Sequence, residues 1–499
     1  MDRSTVVAVL DVVSDWTTHD GPLYRRLATA LRRAIARGDL PPGTILPAER
    51  HMARALAVGR STVVGAYDLL RSEGVIISRQ GSGTWVSGAG RDPSTRTHQA
   101  ALRRAALSAD DAVVDLATAS LPAAPEVAEV IGSLRRDLTD PLLEQVGYSP
   151  AGLPALRRAI ANMFTADGLP TTPEQILVTT GDQQALFLLT QQVLTAGDGV
   201  LVEDPTSPGM LDLVRELPVV LRHCRSFSTT GAGVVLDAIR GSEPALVYLI
   251  TSLGPEGLIA DPDELRRLAR GLRDFTGSLI EDASSRHLLR TEVPLLAALA
   301  PQASVFTVGS MSKLFWSGLR VGWIHGDENA ILRLARAKAR VDLGTPLLSQ
   351  LVSAVLLNRI ADVGAARRVE IADRSTAARE VLRHALPEFE VGPAHGAITL
   401  WVRMPHGASR PFAELARRRG VAIVPGDSLS PDGLSDRYFR LAIGPRADVF
   451  ADGVARLARA WDDYRIAKGR MATDVGAPDR LTTTYQFRAI GSGHAPRRG

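Results

Sequence analysis

VGSMSKLFWSGLRVG, residues 308–322, decides how the rest of the chain is read. It carries Lys313, one of only three lysines (with Lys338 and Lys468) among 58 basic residues, so arginine serves almost wherever a plain positive charge is wanted. A lysine kept inside a small-residue, apolar segment points to a need for a primary amine. An amine can lose its proton when desolvated and attack an aldehyde; a guanidinium cannot. Two hydroxyls, Ser310 and Ser312, stand beside it, and Arg320 follows as a fork-shaped donor suited to a phosphate. Amine, hydroxyls and arginine together are what holding pyridoxal 5'-phosphate as a Schiff base on Lys313 requires.

The segment resembles the Ser-x-Ser-Lys…Gly-Leu-Arg-x-Gly signature of fold-type I aminotransferases. That resemblance implies that Lys313 carries the cofactor as an aldimine and that Arg320 grips its phosphate. Outward from it, β-type runs at 176–180, 199–203, 245–250, 278–282, 304–309 and 321–325 are separated by helical stretches. The alternation predicts an α/β domain over 113–466, a mostly parallel sheet with helices on both faces. Later runs at 398–402, 421–426 and 438–444 predict a smaller α+β subdomain.

Three places in this domain read two ways. The turn Gly181-Asp182-Gln183 joins a strand to a helix, so its N–H groups form either a phosphate site or an ordinary capped turn. Asp282 ends an apolar strand, as a partner for a pyridinium nitrogen or as a plain strand-end residue. Arg440 lies in a strand of the small subdomain, to bind a ligand carboxylate or to make a structural salt bridge. GYSPAGLPALRRAIA (147–161), TTGDQQALFLL (179–189), VEDPTSPG (202–209) and YFRLAIG (438–444) resemble successive landmarks of class I aminotransferases. The resemblance implies the functional alternative at each of the three places, with Ser310 and Ser312 among the cofactor contacts.

The pattern also breaks. Gly254 stands in LGPEG where the family has an asparagine, Asp282 is followed by Ala283-Ser284-Ser285 without the usual tyrosine, and Ser207 replaces an aromatic. Asn and Tyr normally hold the cofactor's phenolate, so their loss weakens proton transfer. The expectation is a sensor whose transaminase turnover is slow or absent.

Residues 1–88 read differently. Helical spacing from Leu23, a short helix from Pro47, a tight turn at Ala57-Val58-Gly59 and a helix from about Ser61 to Glu73 lead into a hairpin around Gln80–Gly83. That is a winged helix-turn-helix plan. Between Gly21 and Val86 there are ten arginines against four acids, a surplus larger than the whole chain's net +4, so the basic charge is concentrated here. The segment is similar to GntR-type DNA-binding domains throughout. The resemblance implies DNA contacts from Arg50, Arg60, Ser61, Thr62 and Gly81.

Head and large domain together resemble the MocR subfamily of GntR-type regulators. The resemblance implies head-to-tail homodimers, an operator with two half-sites, and an amino compound or the cofactor itself as effector. Residues 89–112 read as a flexible linker and 467–499 as a mobile tail. The single cysteine, Cys224, fits a reducing cytosol, and no apolar run is long enough for a membrane span; a cytoplasmic protein is expected. Two other readings stay open: a working aminotransferase with a DNA-tethering domain, and a regulator whose large domain has lost its cofactor.

Overall fold

The computed structural model describes Trp16 and residues 22–36, 39–40, 44–72, 75–79, 83–86, 112–433 and 435–474. Gly81, the linker up to residue 111 and residues 475–499 lie outside the described residues.

In the head, α1 (Leu23–Ala36), β1 (Ile45–Leu46), α2 (Glu49–Ala55), α3 (Arg60–Ser72), β2 (Ile76–Arg79) and β3 (Gly83–Val86) follow one another. Leu27, Leu31 and Ala34 of α1 meet Val63, Ala66, Tyr67 and Leu70 of α3 in one buried core with Met52 and Trp16. The spacing is that of a single apolar helix face. Ala57 takes a left-handed conformation, φ +53°, which makes the turn between α2 and α3 tight. Buried Tyr67 donates its hydroxyl to the Pro47 carbonyl at 2.8 Å and so ties α3 to the start of α2. The wing has three strands, ordered β1-β3-β2, where the sequence predicts a two-stranded hairpin. The addition is β1, whose Ile45 pairs with Trp85.

The large domain begins with β4 (Val114–Asp115) and α4 (Pro154–Ala166). Then come β5 (Ile176–Thr179), α5 (Asp182–Val193), β6 (Gly199–Asp204), α6 (Pro208–Arg215), β7 (Val220–Arg225), β8 (Leu246–Leu249), β9 (Ser278–Asp282), β10 (Ser304–Ser310), β11 (Gly322–His325) and α7 (Glu328–Ala339). The main sheet has seven strands ordered β5-β11-β10-β9-β8-β6-β7, with only β11 antiparallel to its neighbours. Alternate residues serve two cores: Ile176 and Val178 face one, Leu177 the other. A parallel sheet covered on both faces requires that. Strand β7 is absent from the sequence reading because VLRHCR, half-buried at the sheet edge, shows no continuous apolar run.

In the small subdomain, β12 (Glu390–Val391), β13 (Thr399–Arg403), β15 (Val424–Pro425) and β16 (Tyr438–Ala442) form one antiparallel sheet. The run at 421–426 is two strands, not one: β14 (Val421–Ala422) pairs in parallel with β4, while β15 pairs with β16. Pro425, which has no N–H to donate, sits on the edge strand. The last helix, α8 (Ala447–Asp474), runs past residue 466, where the sequence reading ends the domain. Among the described residues no single helix is long and apolar enough to cross a membrane.

One buried group makes this core acid-sensitive. His325, in β11, is 5% exposed, packs on Phe164 with ring centroids 5.1 Å apart, and has no hydrogen-bond partner on either nitrogen among the described residues. Burial lowers its pKa to about 4, so the fold favours the neutral ring. Stability from this site is full above the unfolded pKa of about 6.5 and is lost as pH falls toward 4, roughly 2 kcal/mol by pH 5. His325→Phe is therefore expected to flatten the urea-midpoint profile between pH 7 and pH 5 relative to the parent; parallel profiles would contradict it.

Candidate functional site

A cavity of about 940 Å³ opens at the carboxyl ends of the parallel strands, between the main sheet and the small subdomain. Chain order switches sides there, β5 and β6 lying on opposite flanks of the sheet, which is where open α/β sheets bind ligands. Lys313 follows β10 on a five-residue π-helical turn, Ser312–Trp316. Its Nζ donates to Ser284 Oγ at 2.9 Å. Ser284 thus occupies the place read as a missing tyrosine and serves as the amine's acceptor. Ser310 Oγ donates to Ser312 Oγ at 2.9 Å and accepts the Ser312 N–H at 3.1 Å, so the two hydroxyls are fixed together.

Across from them, α5 follows the N-cap Gly181, which has no side chain to cap it; of the first helical N–H groups that of Gln183 is taken by Asp182, and those of Asp182 and Gln184 are the ones turned to an anion. Arg320, itself left-handed at φ +52°, lays its guanidinium over this turn and donates to the Thr180 carbonyl at 3.1 Å. Gly181 is needed twice: its φ is +79°, and a Cβ there would lie 2.8 Å from Arg320 Nη2. Gly322 allows an equally close approach, since its Cβ would sit 2.6 Å from the Gly181 carbonyl carbon. Asp182 lines the cavity and its Oδ1 accepts the Gln183 N–H at 3.0 Å. Gln183 also lines it, but its amide donates to the Gly209 carbonyl at 3.0 Å and thereby joins α5 to the start of α6.

A polar network anchored on a buried lysine holds this turn from behind. Gln184 accepts the Thr180 N–H at 2.7 Å and donates to Asp342 at 2.7 Å. Asp342 in turn takes the ammonium of fully buried Lys338, at 2.6 and 2.8 Å. Lys338 is the second of the three lysines; its scarcity marked it, but sequence reasoning assigned it no role.

Asp282, at the end of β9, is 6% exposed and lines the cavity. Its Oδ1 accepts the Ser284 N–H at 3.0 Å and its Oδ2 accepts the Tyr248 hydroxyl at 2.7 Å. Ser207 hydrogen-bonds the same phenol, and burial together with Asp282 holds the Tyr248 pKa well above 10. Tyr248 was not legible as a site residue, because within ALVYLI it looks like any apolar core position. Gly254 also lines the cavity, and a Cβ there would meet nothing within 4 Å, so the family's asparagine position is empty space.

Arg440, on β16, is 8% exposed and reaches the same cavity. Nη2 donates to the Ala117 carbonyl at 3.3 Å, and Nε has no partner among the described residues. Burial alone lowers its pKa, to about 10. A buried guanidinium without a carboxylate calls for an anionic ligand.

In the head, Arg50, Arg60 and Ser61 are exposed and Thr62 is half-buried. Arg60 and Ser61 open α3, and Arg60 lies 3.3 Å from Glu49 at the start of α2. Arg50 sits beside Glu49, so both arginines belong to the same corner between the two helices.

This is a winged helix-turn-helix joined to an aminotransferase-type α/β domain with an open pocket around a lysine, lined by charges of both signs. The family profile of class I and II aminotransferases matches residues 143–452, and that of the gntR family of bacterial regulatory proteins matches residues 23–86. The chain is 28% identical to the HTH-type transcriptional regulator YdcR of Escherichia coli K12, over 84% of this chain and 94% of YdcR. It is 30% identical to the probable rhizopine catabolism regulatory protein MocR of Rhizobium meliloti, over 61% and 65% respectively. Among solved structures, LysN, an α-aminoadipate aminotransferase of Thermus thermophilus complexed with N-(5'-phosphopyridoxyl)-L-leucine, superposes with a TM-score of 0.62 at 26% identity. The match covers 75% of this chain and 95% of LysN. The chain belongs to the class I and II aminotransferase family and, through its GntR head, to the MocR-type transcriptional regulators.

Gly181→Ala tests the phosphate end of the pocket. The added methyl must displace Arg320 and forces a side chain into a left-handed backbone. Affinity for inorganic phosphate or pyridoxal phosphate is expected to fall about tenfold or more while urea stability changes far less; unchanged affinity would remove the turn from the site.

Proposed function

We propose that the large domain holds pyridoxal 5'-phosphate on Lys313 and senses an amino compound, or the cofactor itself, on behalf of the DNA-binding head. The residues fit the group. Arg320, the uncapped start of α5 and the Ser310–Ser312 pair suit its phosphate, Asp282 suits its ring nitrogen, and the amine beside Ser284 suits its aldehyde. When bound, the cofactor supplies an aldehyde for reversible exchange with amines and an electron sink. The observation that carries the reading is the convergence on one cavity of Lys313, Asp282 and buried Arg440, whose Nε is left without a partner among the described residues. Arg440 supplies a bidentate grip for the carboxylate of an amino acid or a similar compound.

Lys313, Asp282 and Arg320 serve binding, whereas the empty space beside Gly254 and the serines after Asp282 leave the phenolate without its usual donors. That balance favours a sensor with weak transaminase activity over a metabolic enzyme. Arg50, Arg60, Ser61, Thr62 and Gly81 meet DNA, in a cytoplasmic homodimer whose paired heads span two half-sites. An exposed apolar face supports the dimer. Leu143, Val146 and Tyr148 are 72%, 88% and 69% exposed, next to the turn bearing Val341 and Leu343 and the helix start bearing Leu348, with Ser149 bridged to Gly344. Such a patch is unusual on a monomer. In a head-to-tail arrangement each head lies over the other subunit's large domain.

Borohydride treatment of the protein loaded with pyridoxal phosphate, followed by peptide mapping and light scattering on the same sample, tests the reading. A pyridoxyl group on Lys313, absent in Lys313→Ala, and a dimer mass are expected. No fixed group at Lys313 would leave the cofactor-free regulator, a monomer mass would end the dimer, and turnover at a metabolic enzyme's rate would end the sensor.

A further inference from the structure

Tyr248 lies at the middle of the main sheet, on β8 between β6 and β9, and is completely buried. Its strand neighbours Leu246, Val247 and Leu249 are equally buried and apolar, so packing alone would be served by phenylalanine. The hydroxyl is what distinguishes the residue, and a buried hydroxyl must find a partner. It finds Asp282 Oδ2 at 2.7 Å, and Ser207 is a second polar neighbour of the phenol. The Ser284 N–H takes Oδ1 at 3.0 Å. Each carboxylate oxygen therefore has one fixed donor and keeps one lone pair for the cavity.

We propose that Tyr248, with Ser207 beside it, is a positioning residue that gives the Asp282 carboxylate a fixed donor and keeps it aimed into the cavity, so that a proton shared with a ligand's ring nitrogen would stay on the nitrogen. The proposal rests on the cofactor reading above and gives that site an element of acidity control. The phenol works as a permanent donor, because burial and the neighbouring carboxylate keep it protonated. A donor on the carboxylate stabilises its anionic form and makes Asp282 the weaker competitor for the shared proton. Removing the hydroxyl takes that donor away, favours transfer of the shared proton toward the carboxylate and frees the group to rotate. With pyridoxal phosphate bound, its ring would then carry less positive charge, and a Lys313 nitrogen joined to it would keep its proton to higher pH. Ser207, in the place read as a lost aromatic, neighbours the same phenol, and a hydroxyl donated to the phenol oxygen would strengthen the bond the phenol makes onward.

The test is the pH midpoint of the visible absorption band formed by the full-length protein with pyridoxal phosphate, compared among the parent, Tyr248→Phe and Ser207→Ala. An upward shift of about half a unit or more in Tyr248→Phe, and a smaller one in the same direction in Ser207→Ala, is expected, with urea midpoints near the parent's. A stable, cofactor-binding Tyr248→Phe whose midpoint is unchanged or lower would overturn the proposal and leave the cofactor reading intact. If Tyr248→Phe does not fold, Ser207→Ala decides alone by the same signs. A parent protein that forms no band at all would overturn the cofactor reading and this proposal with it.

Discussion

A carboxylate taken out of water must be given donors or it reverts to the neutral acid, and the centre of the large domain is arranged around three of them. Glu203 accepts the Phe227 and Ile250 N–H groups at 2.7 and 2.6 Å, yet burial still lifts it to about 7. Glu281 gathers Thr251, Thr307 and the Leu296 and Ala297 N–H groups, which binds β8, β9 and β10 to the following helix. Asp282, the next residue, faces the cavity and takes only Tyr248 and the Ser284 N–H among the described residues. The difference is functional in form. Glu281 is saturated by the protein and acts as a structural knot, while Asp282 retains acceptor capacity pointed at empty space. Adjacent residues on one strand face opposite sides of a sheet, so one pair of acids serves both scaffold and site.

The remaining polar groups of the pocket depend on that scaffold. Lys313 is placed by the π-helical turn after β10 and finds its acceptor on the loop just after Asp282. Arg320 and Gly181 fit together only because two glycines remove the side chains that would keep β11 and the α5 turn apart. Behind them, Lys338 and Asp342 fix Gln184 and so the turn itself. Asp342 continues directly into Leu343, whose exposed side chain belongs to the apolar face assigned to the partner subunit. The pocket and the exposed apolar face therefore share a backbone segment, which gives a physical route by which occupancy of the one can bias what covers the other.

Much of this was legible in the sequence, for identifiable reasons. The strands that carry Asp282 and Arg440, and the strand that leads into Lys313, are apolar runs bounded by turns, and the rarity of lysine exposed Lys313 before any geometry was known. The helix-turn-helix followed from spacing and from the concentration of arginine. What escaped depended on contacts between distant segments. Tyr248 is indistinguishable from a core aromatic until Asp282 is seen 2.7 Å from its hydroxyl. The third wing strand, the edge strand β7 and the division of 421–426 arise from pairings with Trp85, β6 and β4, which local composition does not encode. Ser284 read as a loss, and the fold instead makes it the partner of the lysine amine.

The central claim is that chemistry at Lys313 is read out at the DNA. The most direct measurement is the affinity of the full-length protein, at fixed salt, for a duplex selected by the protein itself from a random library. It should be taken with and without pyridoxal phosphate and a panel of amino acids, in parent and Lys313→Ala. The account predicts that at least one combination changes the parent's affinity or its preferred half-site spacing severalfold, and that Lys313→Ala binds DNA but does not respond. Equal affinity and spacing under every condition, with the cofactor demonstrably bound, would contradict it.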